Sequence, residues 1–331
     1  MTVPRSLVWE VTSRCSLPCV HCYNVWSRGE HMAELAPGDR LRLVERLAPH
    51  RRALRALTLS GGEPLLLSDL EQLVAGIRRV LPRAQINIAT NGLLLTPQRA
   101  RALRRAGASA VQLTLLSARP DIHDGLVGQQ GAQMMVLAAF AAAKQAGLGI
   151  ASFFVGTRRN IEGLPGAAKL ALALGADAVV FNRFQPGGRG LSRWRELTPT
   201  PDQLARAVTE IQRLRARAPL ALGTPLPPCE AVGLEVLSCP IGTRNAYPCI
   251  GPDGNLRPCN HWPVGGGSLL ERPLEQLLKQ PLFRRPPGAP APECQGCRWT
   301  RCRGGCPAAR TLAGAAIYRA AREKATASAA R

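Results

Sequence analysis

A chain of 331 residues, 46% of them hydrophobic, has length for about two domains and enough apolar material to bury a core in each, which excludes a disordered polypeptide. No run of about twenty apolar residues occurs, and the opening MTVPRSLVWEV lacks the basic, apolar and small-residue order of a signal peptide, so the expectation is a cytoplasmic protein with no membrane span. The net charge of +21 points toward anionic partners, yet the basic residues are almost all Arg scattered through Ala/Leu-rich segments such as QRARALRRAGA. That is the pattern of solvated helix faces rather than of a nucleic-acid surface, although a substrate carrying carboxylates would still be attracted.

From residue 6 to about residue 217, apolar or β-branched runs of strand length alternate with Ala/Leu/Arg segments of helical length. SLVWEVT (6–12) opens the series, and the loop after it, SRCSLPCVHCYN, gathers Cys15, Cys19 and Cys22. A disulfide framework wants pairs and structural zinc wants four ligands, so three thiols on one loop suit a centre that keeps a position open; three buried thiols remain the alternative. A helix over 37–48 leads to ALTLS (56–60) and the turn SGGEP, where Gly61 and Gly62 allow close backbone approach after Ser60 and where Glu63 offers a carboxylate to a cation. Next come a helix over 68–80, INIAT (86–90) ending at Thr90 and Asn91, a helix over 97–106, and AVQLTLL (110–116) carrying Thr114. A helix over 133–146, GIASFFVG (149–156), a helix over 161–174, AVVFNRF (178–184) with Asn182 and Arg183, and a helix over 201–217 complete six strand-helix units. Such a run implies a parallel sheet with right-handed crossovers, open and doubly wound or curled into part of a barrel, with chemistry at the C-terminal strand ends.

The texture then changes. Residues 218–228 form a Pro-rich linker, 229–310 are dominated by Cys, Pro and Gly with one short helix near 273–280, and 311–331 resemble a short helix running into a tail. So few large apolar residues call for a metal staple. CPIGTRNAYPCIGPDGNLRPCNH holds Cys239, Cys249, Cys259 and His261 around a GPDG hairpin turn, and CQGCRWTRCRGGCP holds Cys294, Cys297, Cys302 and Cys306. In a reducing compartment the eleven cysteines are expected to be metal ligands or free thiols rather than disulfides.

The cysteine trio, then SGGEP, then IATNG and VQLTLLSARPDIHD, in this order after consecutive strands, resemble the radical S-adenosylmethionine (SAM) superfamily. That resemblance implies an α/β fold, a partial (β/α)6 barrel over residues 1–217. It further implies a 4Fe-4S cluster on Cys15, Cys19 and Cys22, whose fourth iron binds SAM. Ser60, Gly61, Gly62, Glu63, Thr90, Asn91, Thr114, Asn182 and Arg183 become candidate cofactor contacts. Leu116 and Ser117 stand where many members have Asp-Gly, and Thr157 with Asn160 matches a recurring turn that also reads as a helix cap. His21 occupies the place of a packing aromatic.

The C-terminal pattern resembles the SPASM domain, which implies one or two auxiliary 4Fe-4S clusters: Cys239, Cys259 and Cys306 with Cys249 as fourth ligand, and Cys294, Cys297 and Cys302 for the second. The second set has four rather than five residues before its third cysteine, and its expected downstream cysteine is missing, which leaves Cys229 as a substitute. Asn260 replaces the Asp base of sulfatase maturases and disfavours formylglycine formation, with His261 the remaining candidate base. The implied activity is reductive cleavage of SAM to a 5'-deoxyadenosyl radical and hydrogen abstraction from a ribosomally made peptide. The implied partners are that peptide, a separate leader-recognition protein, because the chain starts at its first barrel strand, and an electron donor such as flavodoxin or ferredoxin. A haem-forming tetrapyrrole enzyme is the alternative, and a zinc nucleic-acid module without catalysis a remote one.

Overall fold

The computed structural model describes residues 3–24, 32–224, 226, 239–284 and 305–313. Strand and helix alternate as β1 (Ser6–Thr12), α1 (Pro37–Arg46), β2 (Ala56–Gly61), α2 (Leu70–Val80), β3 (Gln85–Thr90), α3 (Pro97–Ala106), β4 (Ala110–Thr114), α4 (Pro120–Val127), α5 (Ala132–Gln145) and β5 (Gly149–Gly156). They continue as α6 (Leu164–Ala173), β6 (Ala178–Arg183), α7 (Gly188–Ser192), α8 (Trp194–Leu197), α9 (Pro201–Arg215) and β7 (Leu220–Leu222). The C-terminal part adds β8 (Cys249–Ile250), β9 (Leu256–Arg257), α10 (Leu274–Leu277), α11 (Pro281–Arg284) and α12 (Pro307–Ala313).

Local chemistry explains where helices begin and end. Thr96 caps α3 by accepting from the Arg99 N–H, and Gly107 closes that helix in the left-handed conformation at φ 108°. Thr200 and Gln203 form a reciprocal capping box ahead of Pro201 at the start of α9.

Strands β1 to β7 lie side by side in chain order, and each neighbouring pair is parallel. A doubly wound sheet reverses its strand order at a switch point. Strictly sequential order with right-handed crossovers instead places the connecting helices on one side and curls the sheet into a partial barrel. Burial follows: β2, β5 and β6 alternate strictly between buried and half-buried residues. Leu57, Leu59, Ile150, Phe154, Val179 and Phe181 belong to the main buried core, while Thr58, Asn87, Gln112 and Thr114 line a cavity on the concave face.

Several expectations are corrected. The segment expected as a linker contains β7, which pairs with β6 through Val179↔Leu220. Helices α4, α7 and α8 were not expected, because each is eight residues or fewer and too short to show a helical period. The C-terminal module continues the barrel sheet. β8 pairs parallel with β1 through Val8↔Cys249, and β9 returns antiparallel to it around the GPDG turn, with Gly254 at φ 81°. The join is locked by an ion pair between Arg257 and Glu10, whose side chains are 3% and 1% exposed. Among the described residues no single helix is long and apolar enough to cross a membrane.

Candidate active site

The cysteine loop is held by backbone from both sides. At its start Glu34 Oε1 accepts from the Thr12 hydroxyl at 2.9 Å and from the Ser13 N–H and hydroxyl at 2.8 Å each. The SGGEP turn then runs alongside: the Gly62 N–H donates to the Thr12 carbonyl and the Glu63 N–H to the Arg14 carbonyl, both at 2.8 Å. A Cβ at Gly61 would stand 2.2 Å from the Thr12 oxygen, and one at Gly62 only 2.0 Å from the Arg14 oxygen. The two glycines are therefore required by the approach of the cysteine loop itself. At the loop's far end Asn24 Nδ2 donates to the Gly61 carbonyl at 2.5 Å.

The segment after β6, QPGGRG, completes the clamp. Arg189 donates to the Cys19 and Leu17 carbonyls at 3.3 and 3.1 Å, and the Gly190 N–H to the Cys22 carbonyl at 3.0 Å. Gly187 lies where a Cβ would meet the Tyr23 carbonyl oxygen at 2.6 Å. Sequence reasoning passed over Arg189; the signal was three glycines and an arginine directly after a C-terminal strand end.

Glu63 differs from expectation. The carboxylate does not line the cavity. It is fully buried and accepts from the Leu65 N–H at 2.9 Å, the Thr90 hydroxyl at 2.7 Å and the Asn91 N–H at 2.8 Å, so it braces the end of β2 to that of β3. Burial pushes its pKa up while those hydrogen bonds oppose the shift. Thr157 and Asn160 are also structural: Asn160 Oδ1 accepts from the Thr157 N–H and hydroxyl at 2.7 Å each, and its amide donates to the Leu116 carbonyl at 2.8 Å.

A cavity of about 740 Å³ opens at the C-terminal ends of the strands. Cys15, Cys19, Cys22, Ser60, Gly61, Gly62, Thr90, Asn91, Thr114, Asn182 and Arg183 all contribute to its wall. Tyr247, Asn260 and His261 of the C-terminal module line it too. They meet the cysteine loop at Tyr23: Asn260 Nδ2 donates to its hydroxyl at 2.8 Å, and its ring lies 4.2 Å from that of His261, centroid to centroid. His21, with its pKa lowered to about 4 by burial, also lines the cavity. His261 is held at about 4 by burial and then by Arg257, which makes it a poor base at neutral pH.

Cys239, Cys259 and Cys306 line a second, small cavity of about 30 Å³ together with Gln185, Tyr247 and His261. Cys249, expected as their fourth ligand, is absent from that lining. It lies in β8 with its thiol against the Ile250 carbonyl at 3.7 Å, and Arg257 donates to its sulfur at 3.5 Å. Cys229, Cys294, Cys297 and Cys302 lie outside the described residues.

The thiol chemistry fits iron-sulfur binding. Burial, then the neighbouring Cys22 and Cys15, push the Cys19 thiol far above its ordinary value; burial likewise raises Cys15, to which Glu63 and Cys22 add. Thiols crowded in this way become thiolates only against a strongly cationic centre. Among the described residues no three Cys, His, Asp or Glu side chains converge on a single ion position, whereas a cubane takes each thiolate at a separate iron.

A sequential parallel barrel with three thiols on the first strand-end loop and a glycine turn on the second defines an iron-sulfur barrel enzyme. The chain belongs to the radical SAM superfamily, whose family model matches residues 9–171. PqqA peptide cyclase of Gluconobacter oxydans is 30% identical over 257 residues, covering 78% of this chain and 70% of that protein. AdoMet-dependent heme synthase of Methanosarcina barkeri is 28% identical over 329 residues, covering 92% and 91%. Among solved structures, Streptococcus suis SuiB bound to S-adenosylmethionine superposes with a TM-score of 0.71 at 16% identity, over 92% of this chain and 73% of that one. SuiB has also been seen bound to its precursor peptide SuiA, at a TM-score of 0.72, 15% identity and 92% and 72% coverage. These matches make the chain a radical SAM enzyme, a family defined by SAM and a 4Fe-4S cluster.

Proposed function

We propose that the enzyme modifies a ribosomally synthesised peptide by removing hydrogen from it, with Cys15, Cys19 and Cys22 holding the SAM-binding 4Fe-4S cluster and Cys239, Cys259 and Cys306 holding an auxiliary one. When bound, these groups supply the reductive cleavage of SAM to a 5'-deoxyadenosyl radical and the removal of one electron from the substrate. The chain's own residues do the rest. Gly61, Gly62, Asn24 and Arg189 fix the cysteine loop. Ser60, Thr90, Asn91, Thr114 and Asn182 present polar groups to the methionine and ribose ends of the cofactor. Arg183, which lines the cavity, attracts carboxylates there. The walls exclude water from the radical.

The observation that carries this reading is the single cavity of about 740 Å³ running from the first cysteine loop to the C-terminal cysteine module. That supports a reacting C–H held beside the first cysteine loop, and the peptide class is supported by the relatives named for peptide cyclisation and by SuiB with its precursor peptide. The test is anaerobic: the reconstituted enzyme, SAM, dithionite and short peptides encoded beside its gene, followed by mass spectrometry. Loss of two hydrogens from one peptide with release of 5'-deoxyadenosine is expected, and Cys15→Ala is expected to abolish both. A second reading, a tetrapyrrole enzyme, is favoured by the heme synthase match, which spans 91% of that protein. It wins if no peptide changes mass while a tetrapyrrole carboxylate loses carbon dioxide.

A further inference from the structure

Gln185 follows β6 by two residues and is 4% exposed. Neither its Nε2 nor its Oε1 has a hydrogen-bond partner among the described residues. Leaving a buried donor or acceptor unmade is costly, and such orphans are rare enough in native interiors to point to a partner. Gln185 lines both cavities, and it shares the wall of the small one with the sulfurs of Cys239, Cys259 and Cys306. Tyr247 lines it too. Its phenol carries an O–H donor.

Sulfur-rich clusters carry net negative charge, and hydrogen bonds to their sulfurs are a main determinant of potential. We propose that Gln185 and Tyr247 donate hydrogen bonds to the sulfurs of an iron-sulfur cluster held by Cys239, Cys259 and Cys306 and thereby raise its reduction potential. The inference rests on the auxiliary cluster assigned above. Reduction adds one electron, the added charge strengthens both bonds, and the reduced form gains more than the oxidised one. A poised auxiliary centre of this kind can take one electron from a substrate radical.

The test uses the full chain with Cys15, Cys19, Cys22, Cys294, Cys297 and Cys302 all replaced by Ala, reconstituted with iron and sulfide and titrated with dithionite and mediators under electron paramagnetic resonance. A reducible signal lost on Cys259→Ala establishes the cluster. On that background Gln185→Met and Tyr247→Phe are each expected to lower the reduced-to-oxidised ratio at fixed potential up to tenfold, about 59 mV for a one-electron couple. In the unsubstituted holoenzyme, pulsed resonance in deuterated water is expected to show exchangeable deuterons coupled to the auxiliary signal, one set of them lost in Gln185→Met. Unchanged potentials and couplings with the signal intact overturn the role of these two residues while leaving the cluster standing. Zinc without iron in the substituted chain overturns the cluster assignment and this inference with it.

Discussion

The join between barrel and C-terminal module is expected to fail if Glu10 is replaced. Glu10 sits on β1, fully buried, and pairs with Arg257 on β9. In Glu10→Leu the guanidinium loses its carboxylate, while the Trp262 carbonyl at 3.3 Å and the Cys249 thiol at 3.5 Å are neutral acceptors. Desolvation lowers the Arg257 pKa to about 10, so the group is still cationic at pH 7. Removing one partner of a buried pair costs roughly 3–5 kcal/mol, a large part of a domain's total of ~5–15 kcal/mol. Urea unfolding of the apoprotein, followed by tryptophan fluorescence, reads the join directly, since Trp9 adjoins Glu10 and Trp262 accepts from Arg257. The double variant Glu10→Leu with Arg257→Met buries no charge and is expected within about 1–2 kcal/mol of the parent. A single-variant cost under ~1 kcal/mol, or additive costs in the double variant, would refute the idea that charge pairing holds this join.

Gly62→Ala is expected to displace the cysteine loop, because its Cβ would fall 2.0 Å from the Arg14 oxygen; release of 5'-deoxyadenosine should drop ~100-fold or more with far-UV circular dichroism unchanged. Cys249→Ala should leave iron content as in the parent, since its thiol is engaged with Arg257 and Ile250, whereas Cys259→Ala should lower it. His123, with Nδ1 accepting from the Leu116 N–H at 3.2 Å, has its pKa lowered to about 4 by burial. The unfolded chain, with its histidine near 6.5, therefore binds the proton first as pH falls. Its contribution is complete above pH 6.5 and is lost toward pH 4, up to about 3 kcal/mol. The apoprotein's urea midpoint should fall less steeply over that window in His123→Leu.

What could be read from the sequence was local. Cys15, Cys19 and Cys22 share one loop, so their common purpose is visible in their spacing, and strands β1 to β6 announce themselves by composition over five to eight residues. The fate of Glu63 depends on Thr90 and Asn91, which are 27 and 28 residues further on, and no local pattern says whether a carboxylate faces a ligand or a neighbouring strand. Cys249 shows the same limit: its spacing suits a ligand, and only the pairing of β8 with β1 sets its thiol beside Arg257. The short elements α7 and β7 escaped because proline and glycine around them read as a connection, while their order comes from packing on the cysteine loop and on β6.

One sequence signal was available and unused. Parallel strands covered on both faces are apolar throughout, yet Ala56, Thr58 and Ser60 on β2, Asn87 and Ala89 on β3, and Gln112 and Thr114 on β4 alternate with Leu, Ile and Val. Such alternation in strands joined by helices means that one face meets something other than a helix layer. Here it meets the cavity, whose polar wall would be costly to bury dry. The helix-covered face supplies the hydrophobic stability, which leaves the concave face free to be polar and shaped for ligand. The cysteine loops beside that face are already positioned by protein contacts, Asn260 to Tyr23 on one side and Arg189 to Cys19 on the other. The separation of the two cysteine loops is therefore set by hydrogen bonds and strand pairing before any ligand binds.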